Sequence, residues 1–584
     1  MVRQDRIGAV AVLVLVHSPV NALTAFVITA LSRALAAVAA DATVTAVILR
    51  GEGRGFSTGV DMREAGQGHL MAEIAALCRQ IESFPRPVIA AMHGLALGAG
   101  CEVAMAAHYR IAHAATQLGL PQVSLGLSPA AGGTQRLPRL LGAKQALRLM
   151  LTGAPIRAPE AMALGLVDRV VAENLGEAAM AMAQENLTLR PTADLPLRDM
   201  TGFQAAVAAA RMADQGNPLT APARIIDCVE AAGLLPFAMG LALEETAFTD
   251  LANAPQSHAL RHAYAAERLA LQMPAEVAGL TPPTLTTLGV LGASDSAVDL
   301  TLQAITAGLR VTLCEPDRAA LTAALTRIAA GQEVAVAAGE MSEDTRDADW
   351  ARLSSGHSTE SLTGLDLVLI AQGYDTAGLD PATPAALLGA ALTGAGLTVP
   401  EAAGDLAELS IAPGATTEVI LRLVALARQL NWPVVAAGPG GPIELGLRLA
   451  LKDAEQHLLA QGHAADTLAA SLAAYGIGAP TRPLPPMPRG GVALVQTCLA
   501  ALAAEGARML GDGRARRPCD VDAVALISGL VPTWQGGPMF YADQRGLLVL
   551  RADLRKLAGQ AFAIPTLLDD LIAEGQKFAD LNGV

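Results

Sequence analysis

The sequence predicts an α/β protein of several domains. Its 584 residues are too many for one hydrophobic core, and 52% of them are hydrophobic. A strand, a glycine-rich loop and a helix follow one another at residues 44–64 and again at 88–108. Residues 286–317 have the outline of a β-α-β unit, while 445–475 and 490–584 carry helical patterns. We therefore expect two sheet-containing regions and a helical C-terminal part.

Composition and charge argue against several classes of partner. Aromatic residues make up only 3% of the chain and the net charge is −14, so we expect no nucleic-acid binding. The apolar stretch Val88–Ala107 is interrupted by a histidine, a glutamate and three glycines, so no membrane insertion is expected. The N-terminal apolar run lacks a small-residue cleavage site. The six cysteines lie far apart without metal-binding spacing, which indicates reduced thiols, no bound metal and a cytoplasmic location.

The first third of the chain alternates between strands and helices. We predict, in order, a buried strand at 7–16, a helix capped by Asn21, a strand at 44–50, a loop at 51–64 in which Asp61–Glu64 begin a helix, a helix at 70–84 and a strand from Val88. Prolines 85 and 87 separate the last helix from the last strand, because proline interrupts a helix.

The stretch Val88–Ala107 is the strongest candidate for a reactive centre. Its glycines let the backbone approach a ligand closely. The helix start at Ala99 and the loop at Gly59-Val60 each offer a backbone N–H, and such a pair can bind a carbonyl oxygen that becomes negatively charged. Glu102 follows Ala99 by three residues on nearly the same helical face, so its carboxylate can act as acid or base beside that carbonyl. Taken alone, the turn is also compatible with close packing and no chemistry.

Three segments carry a family resemblance. They are FSTGVDMRE at 56–64, AAMHGLALGAGCEVAMAAHYRIA at 90–112 and LGLPQVSLGLSPAAGGTQRLPRLLG at 118–142. Together they resemble the crotonase (enoyl-CoA hydratase/isomerase) family, which folds as a spiral of ββα turns and binds acyl-CoA. The resemblance implies that the N–H groups of Val60 and Ala99 form an oxyanion hole for the thioester. It also implies that Glu102 is the first of two catalytic glutamates.

The second catalytic position departs from the family pattern. The family's hydratases carry Pro-Glu there, and this sequence has Pro121-Gln122. An amide can orient water through hydrogen bonds, but it cannot exchange a proton at neutral pH. Because general acid–base help is worth about 10²–10⁴-fold, hydration here is expected to be slower by that order. A single acid, Glu102, would also suit isomerisation of a double bond.

Two further stretches extend the resemblance over nearly the whole chain. Residues 217–270 and 505–543 are similar to parts of type-1 multifunctional β-oxidation enzymes and of the α-subunit of bacterial fatty-acid oxidation complexes. In that class a 3-hydroxyacyl-CoA dehydrogenase follows the crotonase domain. The resemblance implies a crotonase domain at 1–195, a helical linker at 196–280, a degenerate Rossmann-like domain at 281–440 and helical dehydrogenase-like domains at 441–482 and 483–584.

The dehydrogenase-like part lacks the residues that its reaction needs. The dinucleotide fingerprint has Ser294 in place of its second glycine, and Asp295 puts a negative charge where phosphates would bind. Glu315 does match the ribose-binding acid. The other family positions are lost: Ile370 replaces a glutamate, Leu445 replaces an asparagine, and residues 390–412 contain no histidine. We therefore expect no NAD binding, no cofactor and no dehydrogenase activity.

These features predict an enzyme of the crotonase type that acts on an acyl-CoA substrate in β-oxidation. Hydration of a 2-enoyl-CoA is the first choice and isomerisation of a 3-enoyl-CoA the alternative. A non-catalytic subunit that binds acyl-CoA or stabilises a complex is the rival from another class. A thiolase partner and a monomeric state both remain open.

Other polar residues receive structural interpretations. Surface charge and core-edge positions are expected for the helical-linker residues Glu244, Glu245, His258 and His262. His93 is expected to form a structural hydrogen bond. Arg136 and Arg139 are left open between surface positions and contacts to a CoA phosphate.

Overall fold

The computed structural model describes residues 1–61, 68–399, 406–478, 484–557 and 563–583. Two compact units result, Met1–Arg261 and His262–Val584. Each unit combines a central sheet with helices, and the predicted mixed α/β class is confirmed. The finer division into five segments stays a prediction.

The first unit contains two sheets. Its strands are β1 (Val2–Ile7), β2 (Val10–Leu15), β3 (Ala46–Gly51), β4 (Val88–Met92), β5 (Leu95–Leu97), β6 (Tyr109–His113), β7 (Gln117–Gly119), β8 (Ile156–Arg157) and β9 (Arg169–Val171). One sheet has the order β1-β2-β3-β4-β6-β9 and is parallel except for the β1–β2 pair. The other has the order β5-β7-β8. Strands β3 and β4 run side by side, so the loops that follow them emerge at the same edge.

Helices surround these sheets. They are α1 (Ala25–Ala40), α2 (Gly68–Glu82), α3 (Ala99–Ala106), α4 (Gly133–Leu141), α5 (Ala143–Thr152), α6 (Ala158–Leu164), α7 (Leu175–Ala183), α8 (Met200–Ala213), α9 (Thr220–Leu234), α10 (Phe237–Ala252) and α11 (Pro255–Ala270). The main core of the unit combines buried side chains of the sheets, of α1 to α5 and of α8 to α10. The division between the two units falls within α11.

Two predictions about the N-terminal segment are wrong in detail. The strand expected at 7–16 is the second arm of a hairpin, β1–β2, that turns at Gly8 with a φ of 60°. The cap of α1 is Thr24, whose hydroxyl accepts the amide of Val27 at 3.4 Å. Asn21 is instead buried, and its side-chain amide donates to the carbonyl of Gly55 at 2.8 Å. Both residues are common N-caps, so composition alone did not separate them. The helix start expected at Asp61–Glu64 extends beyond residue 61 into positions outside the described residues.

The second unit has one long sheet. Its strands are β10 (Thr287–Leu291), β11 (Arg310–Cys314), β12 (Leu353–Gly356), β13 (Leu367–Ile370), β14 (Ala385–Leu388), β15 (Ala395–Leu397), β16 (Ala407–Ile411) and β17 (Val434–Ala437). The order is β12-β11-β10-β13-β14-β15-β16-β17, and only the β15–β16 pair is antiparallel among the described strands. The first four strands follow the 3-2-1-4 order of doubly wound nucleotide-binding folds.

The remaining helices belong to this second unit. They are α12 (Asp295–Thr306), α13 (Arg318–Ala337), α14 (Glu343–Trp350), α15 (Thr417–Gln429), α16 (Ile443–Ala460), α17 (Ala465–Tyr475), α18 (Gly491–Gly511), α19 (Pro518–Ile527), α20 (Pro538–Arg545), α21 (Leu547–Leu557) and α22 (Thr566–Glu574). Among the described helices, α18 alone is long and apolar enough to cross a membrane, and 72% of its most apolar 18-residue window is buried.

Candidate functional site

Helix α3 places the candidate acid in the interior of the first unit. Strand β5 leads into Gly98, whose φ of 54° is favourable for glycine and turns the chain into the helix. Every residue of α3 is buried. The helix therefore begins at Ala99, with Glu102 one turn later and no exposure to solvent.

The loop after β3 lies against the start of α3. The amide of Ser57 donates to the carbonyl of Leu95 at 3.0 Å, and the amide of Leu97 donates to the carbonyl of Ser57 at 2.9 Å. A Cβ atom added at Gly59 would lie 2.9 Å from the amide nitrogen of Ala99. The two loops thus come together around Ala99, while the oxyanion role of the Val60 and Ala99 amides stays a prediction.

Backbone amides and one side chain among the described residues donate hydrogen bonds to the carboxylate of Glu102. Its Oε1 atom accepts the amides of Ala131 at 2.8 Å and Gly133 at 2.9 Å. Its Oε2 atom accepts Nε2 of Gln122 at 3.1 Å. Burial raises the pKa of Glu102, and the two backbone amides act in the opposite direction. One oxygen is therefore fixed by backbone, while the other is shared with a single side chain.

Gln122 lies in a 3-10 helix, Pro121–Leu125, and faces the same turn. A Cβ atom at Gly98 would lie 3.9 Å from its Nε2 atom. Its Oε1 atom is buried and has no hydrogen-bond partner within the part of the chain that the structure describes. An unpaired buried carbonyl costs roughly 1–3 kcal/mol, so this oxygen is an acceptor that a water molecule or a substrate hydroxyl would satisfy.

A second buried carboxylate was missed by the sequence analysis. Glu244 of α10, expected at the surface, is only 1% exposed. It accepts the amides of Gly132 at 2.5 Å and Thr134 at 2.7 Å. Burial and the charge of Glu102 raise the pKa of Glu244 to about 8. A signal was available, because Glu244 repeats with Gly240, Ala247, Phe248 and Leu251 at the spacing of one buried helical face.

The two arginines of this region have different environments. Arg136 is 1% exposed, forms an ion pair with Glu82 at 2.8 Å and donates to the carbonyl of Ala131 at 2.7 Å. Arg139 is half-buried, and its guanidinium lies 4.9 Å from the centre of the Phe237 ring. Arg136 is therefore part of the interior and braces the turn that holds Glu102.

Other polar residues of the first unit lie apart from this cluster. The Nε2 atom of His93 lies 2.9 Å from the carbonyl of Gly53. A cavity of about 870 Å³ lies between the larger sheet and α7, with Ile48, Arg50 and Met180 in its wall. That wall includes none of the four predicted site residues, so the cavity does not belong to the Glu102 cluster.

The start of α12 does not fit the phosphates of a dinucleotide. Ser294 caps the helix, and its hydroxyl accepts the amide of Ala297 at 3.3 Å. Arg327 forms an ion pair with Asp295 and donates to the carbonyl of Ala293 at 2.9 Å. The helix terminus is therefore already capped, and the carboxylate in its first turn would repel a pyrophosphate.

The ribose side of this region is also occupied. The hydroxyl of Tyr374 donates to the carboxylate of Glu315, the acid that matches the family pattern. A Cβ atom added at Gly292 would lie 2.7 Å from the Tyr374 ring, so the ring packs directly on the turn after β10. Ile370 ends β13, and Leu445 lies exposed on α16. The side chains that do not fit NAD are those of Ser294, Asp295 and Tyr374.

Comparison with known proteins places the first unit in context. Residues 6–208 match the enoyl-CoA hydratase/isomerase family. The peroxisomal bifunctional enzyme of Homo sapiens is 31% identical over 376 residues, which are 62% of this chain and 51% of that protein. A probable enoyl-CoA hydratase of Bacillus subtilis is 47% identical over 165 residues, or 27% of this chain and 64% of that protein. The solved enoyl-CoA hydratase subunit I of Geobacillus kaustophilus is 31% identical, covers 45% of this chain and 94% of its own, and has a TM-score of 0.30. The matches span only 37–51% of the curated peroxisomal bifunctional enzymes.

Proposed function

Residues 6–208 of this chain match the enoyl-CoA hydratase/isomerase family, and on that premise we propose that the protein hydrates 2-enoyl-CoA thioesters to 3-hydroxyacyl-CoA in β-oxidation. The observation that carries the proposal is the environment of Glu102. A buried carboxylate lies beside the paired glycine loops, with one oxygen held by backbone amides and the other next to Gln122.

In this proposal the acyl thioester binds with its carbonyl oxygen on the N–H groups of Val60 and Ala99. Negative charge develops on that oxygen when water attacks the β-carbon, and preorganised amides stabilise it at no cost in reorganisation. Glu102 takes a proton from the attacking water through Oε2. The protonated Glu102 then gives that proton to the α-carbon of the enolate, so that the hydroxyl of one water molecule ends on the β-carbon and its proton on the α-carbon.

Gln122 orients the water in this scheme. Its Nε2 atom already donates to Glu102, and its unpaired Oε1 atom can accept one O–H of a water molecule placed between them. The amide supplies direction but no proton. We therefore expect a hydratase that is slower than a two-carboxylate enzyme by about 10²–10⁴-fold.

Isomerisation of a 3-enoyl-CoA is the second candidate. It is favoured by one observation: within the described residues, Glu102 is the carboxylate that accepts a hydrogen bond from Gln122, whereas Glu244 accepts the amides of Gly132 and Thr134. A single acid can remove a proton from the α-carbon and return it to the γ-carbon. A non-catalytic acyl-CoA-binding or complex-stabilising subunit is the remaining alternative, although such a role does not require Glu102.

The second unit has no catalytic role in this proposal. The capped helix terminus at Ser294 and the Tyr374–Glu315 hydrogen bond support the loss of NAD binding. The unit would then serve as a folded scaffold. A cytoplasmic location and either a thiolase partner or a monomeric state complete the proposal.

Purified protein incubated with crotonyl-CoA or with a 3-enoyl-CoA tests the proposal. Ultraviolet absorbance of the conjugated thioester should fall with the first substrate if the protein is a hydratase, and rise with the second if it is an isomerase. Glu102→Gln should lower either rate by at least about 10²-fold, because general acid–base catalysis is lost. The matched control is Glu173→Gln at an exposed position, which should leave the rate unchanged.

The outcomes separate the alternatives. Loss of the conjugated absorbance with crotonyl-CoA supports hydration. Turnover of the 3-enoyl-CoA alone would replace hydration by isomerisation. No turnover of either substrate, with acyl-CoA still bound, would favour the non-catalytic subunit. Full activity of Glu102→Gln would refute the mechanism.

A further inference from the structure

The turn at residues 131–134 is held between two buried carboxylates. Its amides alternate: those of Ala131 and Gly133 donate to Glu102, and those of Gly132 and Thr134 donate to Glu244. Glu244 is separated in sequence from Gly132 by 112 positions and from Thr134 by 110 positions. The position of the amides that hold Glu102 therefore depends on a side chain of α10.

Glu244 is buried and its carboxylate is held by hydrogen bonds. The hydroxyl of Thr134 also donates to its carboxylate, and the side-chain amide of Gln135 donates in turn to that hydroxyl at 2.9 Å. Among the described residues Glu244 forms no ion pair, because Arg136 is paired with Glu82. The titratable and charged groups that interact electrostatically with Glu244 or line the same cavity are Glu102 of α3, Cys78 and Arg79 of α2, Arg136 of α4, Cys228 of α9 and the exposed Glu245 of its own helix.

Two buried carboxylates that share one turn cannot both ionise easily. Each negative charge disfavours the other, so such a pair loses its protons in two separate steps. Burial raises the pKa of Glu102, and burial together with the charge of Glu102 raises that of Glu244 to about 8. The two carboxylates therefore titrate as a coupled pair, in which the charge of Glu102 opposes the ionisation of Glu244.

We propose that Glu244 is a positioning residue, which orients the amides that hold Glu102 and is coupled to the Glu102 carboxylate through the turn that they share. Only the expected effect of Glu244 on turnover rests on the proposed function. The geometry predicts the coupling whether or not the protein hydrates an enoyl-CoA. Glu102 remains the group that touches the substrate.

The pH dependence of kcat/KM with crotonyl-CoA tests the effect on turnover. The wild-type profile should contain an inflection near pH 8, where Glu244 ionises. In Glu244→Gln that inflection should be absent, because Glu102 then titrates alone. Glu245→Gln, the exposed neighbour in sequence, should keep it.

A second pair of variants keeps the carboxylate and guards against misfolding. Thr134→Val removes one hydroxyl that favours the ionised form, so the inflection should move to higher pH by about one unit. Thr134→Ser keeps the hydroxyl and should leave the inflection in place. A uniform loss of kcat at every pH, without a change in the profile, would mean that Glu244 is only structural and would overturn the proposal.

Infrared absorbance of protonated carboxyl groups gives a readout that needs no turnover. A carboxyl band that titrates near pH 8 should be present in the wild type and in Glu245→Gln, and absent in both Glu102→Gln and Glu244→Gln. If the band persists in Glu244→Gln, the inference is wrong. If the band behaves as expected but no enoyl-CoA is consumed, the coupling stands, the proposed function fails, and the effect on turnover falls with it.

Discussion

Replacing Gln122 by glutamate would restore the second carboxylate of the site. The substitution keeps the length and shape of the side chain and exchanges Nε2, 3.1 Å from Glu102 Oε2, for an oxygen. If the mechanism proposed above is correct, the variant can both activate water and supply a proton. The hydration rate should then rise by about 10²–10⁴-fold.

The distance also gives the size of the electrostatic change. Two unit charges 3.1 Å apart interact by about 5 kcal/mol at an effective dielectric constant of about 20, which corresponds to about 4 pKa units. Both carboxylates of the variant cannot ionise together near neutral pH, so one of them keeps a proton. That protonated partner is the acid which the wild-type amide cannot provide.

Hydration of crotonyl-CoA by Gln122→Glu, measured from pH 5 to pH 10, checks this reasoning. We expect kcat to rise while KM changes little, since the thioester contacts at Val60 and Ala99 are untouched. Gln122→Met, which has similar length and no hydrogen-bonding group, is the matched control and should show no gain. A folded Gln122→Glu protein with unchanged hydration would refute the assigned role of Gln122 and would favour isomerisation.

Two further predictions concern the second unit. Glu408 is 3% exposed and accepts the amides of Ile443 at 2.7 Å and Glu444 at 2.9 Å, and burial raises its pKa from 4.5 to about 7. Its contribution to stability is therefore complete below about pH 4.5 and is lost as the pH rises through 7, by about 3 kcal/mol in total. Glu408→Gln should flatten the pH dependence of urea unfolding in that window, and an unchanged slope would contradict the assignment. NADH added to the full-length protein should give no saturable change in its fluorescence, and a micromolar dissociation constant would show that Ser294 and Tyr374 do not block the site.

The sequence was sufficient for those features that local patterns encode. The glycine loops and the acid one turn after Ala99 follow from spacing alone, and the structure brings these loops together. The strand–loop–helix order was also visible, because a buried strand and an amphipathic helix have different apolar periods. The departure at Gln122 needed only the comparison of one position with a motif.

Features that depend on long-range packing were missed. Asn21 and Thr24 are both good caps, and only the distant carbonyl of Gly55 decides that the first is used elsewhere. Glu244 belongs to a buried helical face, but the donors that make its burial tolerable lie more than a hundred positions earlier. The sequence around residue 244 therefore gives no indication of which amides donate to Glu244.

The alternating hydrogen bonds of the 131–134 turn also affect where the boundary of an isolated N-terminal fragment can be placed. The family match ends at residue 208, whereas one of the two carboxylates on the turn is at residue 244. A fragment that ended at the family boundary would lack α9 and α10, and with them the carboxylate that accepts the amides of Gly132 and Thr134. The smallest transplantable module therefore extends through α10, which the compact unit Met1–Arg261 includes. In a chimera that exchanges the first 208 residues alone, Glu102 and the 131–134 turn would come from one protein and the residue that replaces Glu244 from the other.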